Sequence, residues 1–182
     1  DLSPDSVEIA RTRAERAGYA GIEFKVMPAE AMAGYADHTF DMVVFVDILH
    51  HVDIPSTIRE IVRVMKPGGT IIGDELYTHS ALQRIREARP IAKFAYPLLQ
   101  RWIYDDSTPY ITPDEHKIDE SELATVVAAM VSPSFDFFGV AEGRLFPSRM
   151  VWASKIDRSI MRLSRSAASR LGSRVMFSGR TA

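Results

Sequence analysis

The stretch that most constrains the fold runs from Phe40 to Glu75, FDMVVFVDILHHVDIPSTIREIVRVMKPGGTIIGDE. Its first seven residues are nearly all apolar, as suits a strand buried on both faces of a sheet. Ile58, Ile61, Val62 and Met65 then recur along one helical stripe. Pro67 cannot continue that helix, and the two glycines after it permit the chain to reverse. TIIGDE follows as a second apolar strand. Two such strands joined through a helix read as a crossover unit of a parallel sheet.

The flanking sequence extends this pattern. Ser3 is a good N-cap and Pro4 suits the first helical position, with Asp5 and Glu8 in the first turn where the helix dipole favours them. Val7, Ala10, Ala14 and Ala17 keep helical spacing up to Gly18. IEFKV, Ile22 to Val26, reads as a short strand. The fold class is therefore α/β, a doubly wound, mostly parallel Rossmann-like sheet. If the first helix crosses over between parallel strands, a strand precedes it, and Asp1 lies at that strand's carboxyl end. Ligands bind at such strand ends in open α/β sheets. The chain is thus expected to be incomplete at its N-terminus. A sheet lacking those strands has an exposed edge, so low solubility or a partly molten state is expected of the chain alone.

The middle of the chain differs in character. A helical pattern from His79 to Trp102 contains Pro90 and Pro97, where it should kink or split. Phe94, Leu98, Leu99 and Trp102 give it a bulky apolar side, and Tyr96, Tyr104 and Tyr110 lie nearby. A polar loop, YDDSTPYITPDEHKIDE, leads to a helix over roughly Glu120 to Met130. Within that loop Asp114 to Lys117 is either solvated or part of a lid. FDFFGVAE and RMVWASK read as two strands, an antiparallel pair closing the sheet. The domain is expected to occupy 1–155, with 79–131 as a helical, substrate-facing insertion. Residues 156–182 are expected to form a basic amphipathic tail, with Ile156, Ile160, Leu163 and Ala167 along one side. From Lys155 to Ala182 there are seven basic residues and one acidic. That tail suits a solvated helix, a partner or dimer contact, or a weak membrane-surface contact.

Composition narrows the function classes. A net charge of −2 offers no global attraction to nucleic acid, and the lack of cysteine removes disulfides and thiolate metal sites. No apolar run approaches the ~20 residues that span a bilayer, and a cytoplasmic location is the default expectation. Asp1, at a strand end beside a helix N-terminus, offers two oxygens that match the vicinal hydroxyls of a ribose. Asp47, His50, His51 and Asp53 suggest either a metal cluster, a general acid/base histidine or simply a packed loop histidine.

Taken in order, DLSPDSVEIARTRAERAG, FDMVVFVDILHHV and RVMKPGGTIIGDE resemble the small-molecule type of class I S-adenosylmethionine-dependent methyltransferase. The resemblance is strong from Asp1 to Glu75 and fades to fold-level likeness by about Lys155. It implies S-adenosylmethionine as cofactor and a small-molecule acceptor. The aromatic content around Phe94 to Tyr110 suits either a partly apolar acceptor or core packing, and the net charge speaks against a nucleic-acid partner. The resemblance places Asp1 on the ribose hydroxyls and Leu2 beside the adenine. Pro28, Ala29 and Glu30 stand where the family has an Asp-Ala-Glu-like triplet at the adenine edge. Pro28 thus replaces an aspartate, and Ala29 retains a backbone N–H. The backbone at Val46 and Asp47 would face the methionine moiety, with Leu49 against the cofactor. His50 or His51 is the candidate to accept the nucleophile's proton. The family's Gly-rich loop, which precedes the residue matching Asp1, has no counterpart in this sequence. The chain is therefore expected to be the carboxyl-terminal part of such an enzyme, inactive alone. Three other readings compete: a nicotinamide-dependent oxidoreductase, a non-catalytic scaffold and a metal hydrolase using the histidine pair.

Overall fold

The structure, a computed structural model, describes residues 1–182 apart from 78–80, 82–83, 86–87, 105–117, 142–144 and 148, and apart from the side chains of 96, 104 and 165. The Asp114–Lys117 segment, Tyr110 and the start of the helical pattern at His79 lie outside the described residues.

Helix α1 spans Pro4–Arg16, capped as its sequence predicts: Ser3 Oγ accepts the Ser6 N–H at 3.2 Å. Strand β1, Phe40–Val46, leads through a 3-10 turn at Leu49–His51 into α2, Ile54–Val64. Asp53 caps α2 by accepting the Ser56 N–H at 2.9 Å. Strand β2, Met65–Leu76, follows directly. A π-helical turn at Ile91–Ala95 then runs into α3, Tyr96–Tyr104, so the helix changes pitch just after Pro90. Helix α4, Glu120–Ala128, starts with a capping box in which Asp119 and Glu122 each bind the other's backbone N–H. Strand β3, Val131–Phe138, helices α5, Val151–Leu163, and α6, Arg165–Leu171, and strand β4, Arg174–Arg180, complete the order.

The four strands lie in the order β1-β2-β4-β3. β1 and β2 are parallel, with Val44 opposite Ile72 and Val46 opposite Asp74. β2–β4 and β4–β3 are antiparallel. The α/β reading holds, and the described sheet is mixed. β1 and β2 end at the same edge, at Val46 and Leu76, and β4 begins there, so Arg174 shares one sheet end with them.

Alternation decides burial. On one face Phe45, Ile71, Val175 and Phe177 pack under α2 and α4, joined by Ile54, Ile58, Ile61, Leu123 and Val126. Thr57 lies within this layer, and among the described residues its hydroxyl is the buried side-chain oxygen without a hydrogen-bond partner. Gly73 sits where the Phe45 and Phe177 rings approach each other, with centroids 5.7 Å apart. A Cβ there would meet Phe45 Cε2 at 2.6 Å. On the other face Met42, Val44 and Val46 are 53%, 57% and 57% exposed. The expectation that Phe40–Val46 is buried on both faces is thus overturned, because the layering helices α2 and α4 lie on one side.

Three further expectations are corrected. Ile22–Val26 is not a strand: strand structure requires backbone pairing, and none is formed there. RMVWASK is not the second strand of the closing pair. Its Met-Val-Trp run has strand propensity, but residues from Val151 onward form α5, which buries Ala153 and Asp157 at helical spacing. The partner of β3 is β4, drawn from the stretch expected to be a tail. Ile156 and Leu163, on the apolar side expected of that stretch, are 38% and 86% exposed. The inward position belongs to Asp157, the one acidic residue of that stretch, whose carboxylate accepts the N–H groups of Val140 and Ala141 at 3.0 and 2.8 Å.

Candidate functional site

Where β1 ends, the chain turns sharply. Asp47 has φ +51°, a left-handed conformation that costs an ordinary side chain roughly 1–3 kcal/mol. Two contacts hold it there. Its N–H donates to the Asp74 carbonyl at 3.0 Å, and Arg174 Nη2 donates to its Oδ1 at 2.8 Å. Arg174 Nε also donates to Asp74 Oδ1 at 3.1 Å. Burial pulls the Arg174 pKa down, but its hydrogen bonds to Asp47 and Asp74 outweigh that and raise it above the usual value.

The next residues form the 3-10 turn. The Ile48 and Leu49 N–H groups both donate to Glu75 Oε1 at 2.7 Å, and His50 Nδ1 lies 2.9 Å from Glu75 Oε2. Sequence reasoning gave neither Glu75 nor Arg174 a role. A signal for Glu75 was present: it follows Ile71 and Gly73 at a spacing of two, which puts a carboxylate on the strand's buried face.

Beside this turn lies a cavity of about 480 Å³, lined by Asp1, Leu2, Met27, Pro28, Ala29, Met32, Val46, Asp47, Ile48, His51 and Val52. Six of the expected cofactor residues thus meet in one place, namely Asp1, Leu2, Pro28, Ala29, Val46 and Asp47. Asp1 Oδ1 accepts the Ser3 N–H at 2.8 Å, so the helix start orients the carboxylate. The Met27 N–H donates to the Asp1 carbonyl at 3.0 Å and ties the two sides of the cavity together. Two expected residues lie elsewhere. Leu49 is fully buried in the core, and Glu30 accepts the Asp53 N–H at 3.2 Å outside the lining.

The two histidines separate. His50 is buried and bound to Glu75, whereas His51 is exposed and lines the cavity, its ring centroid 4.0 Å from that of His50. Among the described residues, Asp47, His50 and Glu75 bring one potential ligand atom each within 4.8 Å of one another. Their oxygens are already engaged by Arg174, two backbone N–H groups and His50, so a cation there would compete with each of those donors.

The cavity pairs the Asp1 carboxylate with apolar walls from Leu2, Met27, Met32, Ile48 and Val52, a mix that suits a flat ring joined to a hydroxyl-bearing group. Phe94 and Trp102, expected near the acceptor, are not among the lining residues.

Comparison with known proteins bears on the fold and on the first part of the chain. Residues 1–73 match the methyltransferase domain family. A ubiquinone biosynthesis O-methyltransferase of Paracidovorax citrulli is 33% identical over 72 residues, which is 39% of this chain and 30% of that protein. The matched region therefore spans about a third of the curated relative. A SAM-dependent methyltransferase of Methanosarcina mazei superposes with a TM-score of 0.57 at 19% identity, covering 100% of this chain and 80% of the other. Geranyl diphosphate C-methyltransferase of Streptomyces coelicolor, solved with S-adenosyl-L-homocysteine, gives a TM-score of 0.56 at 14% identity over 100% and 63%. Residues 1–73 match the methyltransferase domain family, and the chain as a whole shares the fold of solved SAM-dependent methyltransferases.

Proposed function

We propose that this chain forms part of an enzyme that transfers a methyl group from S-adenosylmethionine to a small, partly apolar acceptor. The observation that carries the reading is the convergence of Asp1, Leu2, Pro28, Ala29, Val46 and Asp47 on one cavity. When bound, the cofactor supplies an activated methyl group on a sulfonium. Asp1 accepts ribose hydroxyls, and Leu2, Met27 and Met32 exclude water from the base. Pro28 offers no side-chain acceptor for an adenine amino group, so recognition of the base rests on shape and on backbone groups near Ala29. Much of the rate enhancement in such a displacement comes from alignment. The turn at Asp47 and Ile48 therefore matters through its rigidity. Of the two histidines, His51 lines the cavity, which supports it as the acceptor of a proton from a substrate O–H or N–H.

The relatives' names favour methyl transfer over the nicotinamide-dependent reading, which also uses a carboxylate for ribose. The test is a calorimetric titration of S-adenosylhomocysteine into the chain, with NADH as control. Saturable binding of S-adenosylhomocysteine, weakened about tenfold or more by Asp1→Ala, is expected from the loss of a charged hydrogen bond. Binding of NADH with no response to S-adenosylhomocysteine overturns the proposal.

A further inference from the structure

Glu75 has no exposed surface, and a carboxylate in that position is costly unless donors meet it. Three do: two backbone N–H groups on Oε1 and the His50 ring on Oε2. The backbone groups can only donate, so Oε1 is committed as their acceptor and Oε2 is left to meet His50 Nδ1. With Oε2 as the acceptor of that 2.9 Å bond, the shared proton sits on His50 Nδ1. Each bond holds a different part of one turn. Ile48 and Leu49 open it, His50 is its centre, and Ile48 and His51 on either side line the cavity.

We propose that Glu75 is the positioning residue of this site. It clamps the turn from Asp47 to His51, holds His50 as the Nδ1–H tautomer, and thereby leaves His51 as the histidine presented to a ligand. Glu75 and Arg174 brace the left-handed Asp47 from opposite sides, one through the amides after it and one through its side chain. His50 acts through its neighbour and touches no ligand. The part of this proposal that concerns ligand binding rests on the methyltransferase reading. The part that concerns the turn and the tautomer does not.

The first measurement is the imidazole 15N spectrum of the full chain near neutral pH, with hydrogen exchange at Ile48 and Leu49. The wild type should show His50 protonated at Nδ1 and both amides protected. Glu75→Gln supplies one acceptor oxygen and one donor nitrogen. The oxygen can keep the two amides, so the nitrogen faces His50, which must then move its proton to Nε2. Glu75→Leu supplies no acceptor, and exchange at Ile48 and Leu49 should accelerate at least tenfold. A wild-type His50 protonated at Nε2, or a Glu75→Gln protein whose His50 keeps its Nδ1 proton, overturns the proposal. So does unchanged exchange in Glu75→Leu. If Glu75→Leu fails to fold, Glu75→Gln alone decides through the tautomer.

The second measurement is S-adenosylhomocysteine affinity. Glu75→Leu should fall more than tenfold from wild type, and Glu75→Gln, which keeps the acceptor for the two amides, should fall less than Glu75→Leu. Failure of the wild type to bind, with the tautomer results as expected, removes the ligand reading and leaves the clamp standing. Equal affinity in wild type and Glu75→Leu overturns the positioning role.

Discussion

Arg174 Nη2 lies 2.8 Å from Asp47 Oδ1 and 3.1 Å from Asp74 Oδ1, so one guanidinium joins the ends of β1, β2 and β4. Arg174 and Asp47 are 127 positions apart in sequence. Replacing Arg174 by Ala leaves two neighbouring carboxylates without their cation. Asp47 is 42% exposed, so water offsets part of that loss. We expect a stability decrease of about 1–2 kcal/mol, read as a lower urea midpoint at unchanged slope. Arg174→Lys, which keeps the charge without the planar fork, should recover about half of it.

Gly73 is expected to resist substitution. A methyl group there runs into both Phe45 and Phe177, which are themselves packed under α2 and α4. Gly73→Ala should therefore cost about 1–3 kcal/mol by overpacking. The double variant Gly73→Ala with Phe177→Leu, which makes room beside the new methyl, should be more stable than the sum of the two single effects. Strict additivity would place the strain elsewhere.

Acid stability should depend on Glu60. Its pKa is lowered from the ordinary 4.5, chiefly by the hydrogen bonds from Arg63, with burial opposing and the Met32 N–H assisting. Arg63 Nη1 also donates to Asp37 Oδ1 at 2.7 Å. A carboxylate with a depressed folded-state pKa contributes stability above its unfolded value, and that contribution is lost as pH falls through the folded one. Wild type should thus lose stability as pH drops from about 4.5 downward, and Glu60→Gln should lose less across that interval. Parallel pH profiles for the two proteins would contradict this.

The α4 capping box offers a local test. Asp119 Oδ1 accepts the N–H groups of Ser121 and Glu122 at 2.8 and 2.9 Å, and Glu122 Oε2 accepts the Asp119 N–H at 2.9 Å. Asp119→Ala should cost about 1 kcal/mol, and Asp119→Ser should restore most of it. Because Leu123 and Val126 belong to the core, the loss should appear in global unfolding and not only in fraying of the helix end.

Much of the first half of the chain was legible because local and tertiary signals agree there. β1 has a nearly unbroken apolar run, α2 has a clear stripe, and α1 begins with a cap and a proline. β4 was not legible. RVMFSGR buries only alternate residues, Val175 and Phe177, and lies among arginines, so a short strand resembled a polar tail. α5 was misread because Met150, Val151 and Trp152 carry strand propensity while its inward residues are Ala153 and an aspartate. The meeting of Asp1, Leu2, Pro28, Ala29, Val46 and Asp47 at one cavity was legible through motif order alone. The split between His50 and His51 was not, since adjacent positions become buried and exposed only once Glu75 is placed beside them.

The strand that joins β2 to β3 is the last of the four in the chain. Its pairing of Thr70 with Arg180 and of Leu76 with Arg174 links segments about a hundred residues apart. During synthesis β1, α2 and β2 can associate early, but β3 has no neighbour until Arg174–Arg180 leaves the ribosome. Assembly of the sheet is therefore a late event with high contact order. Before it, β2 displays a strand edge to whatever else is nearby. The same insertion delivers Arg174 to Asp47, so the site's turn acquires its outer brace only when the sheet is joined.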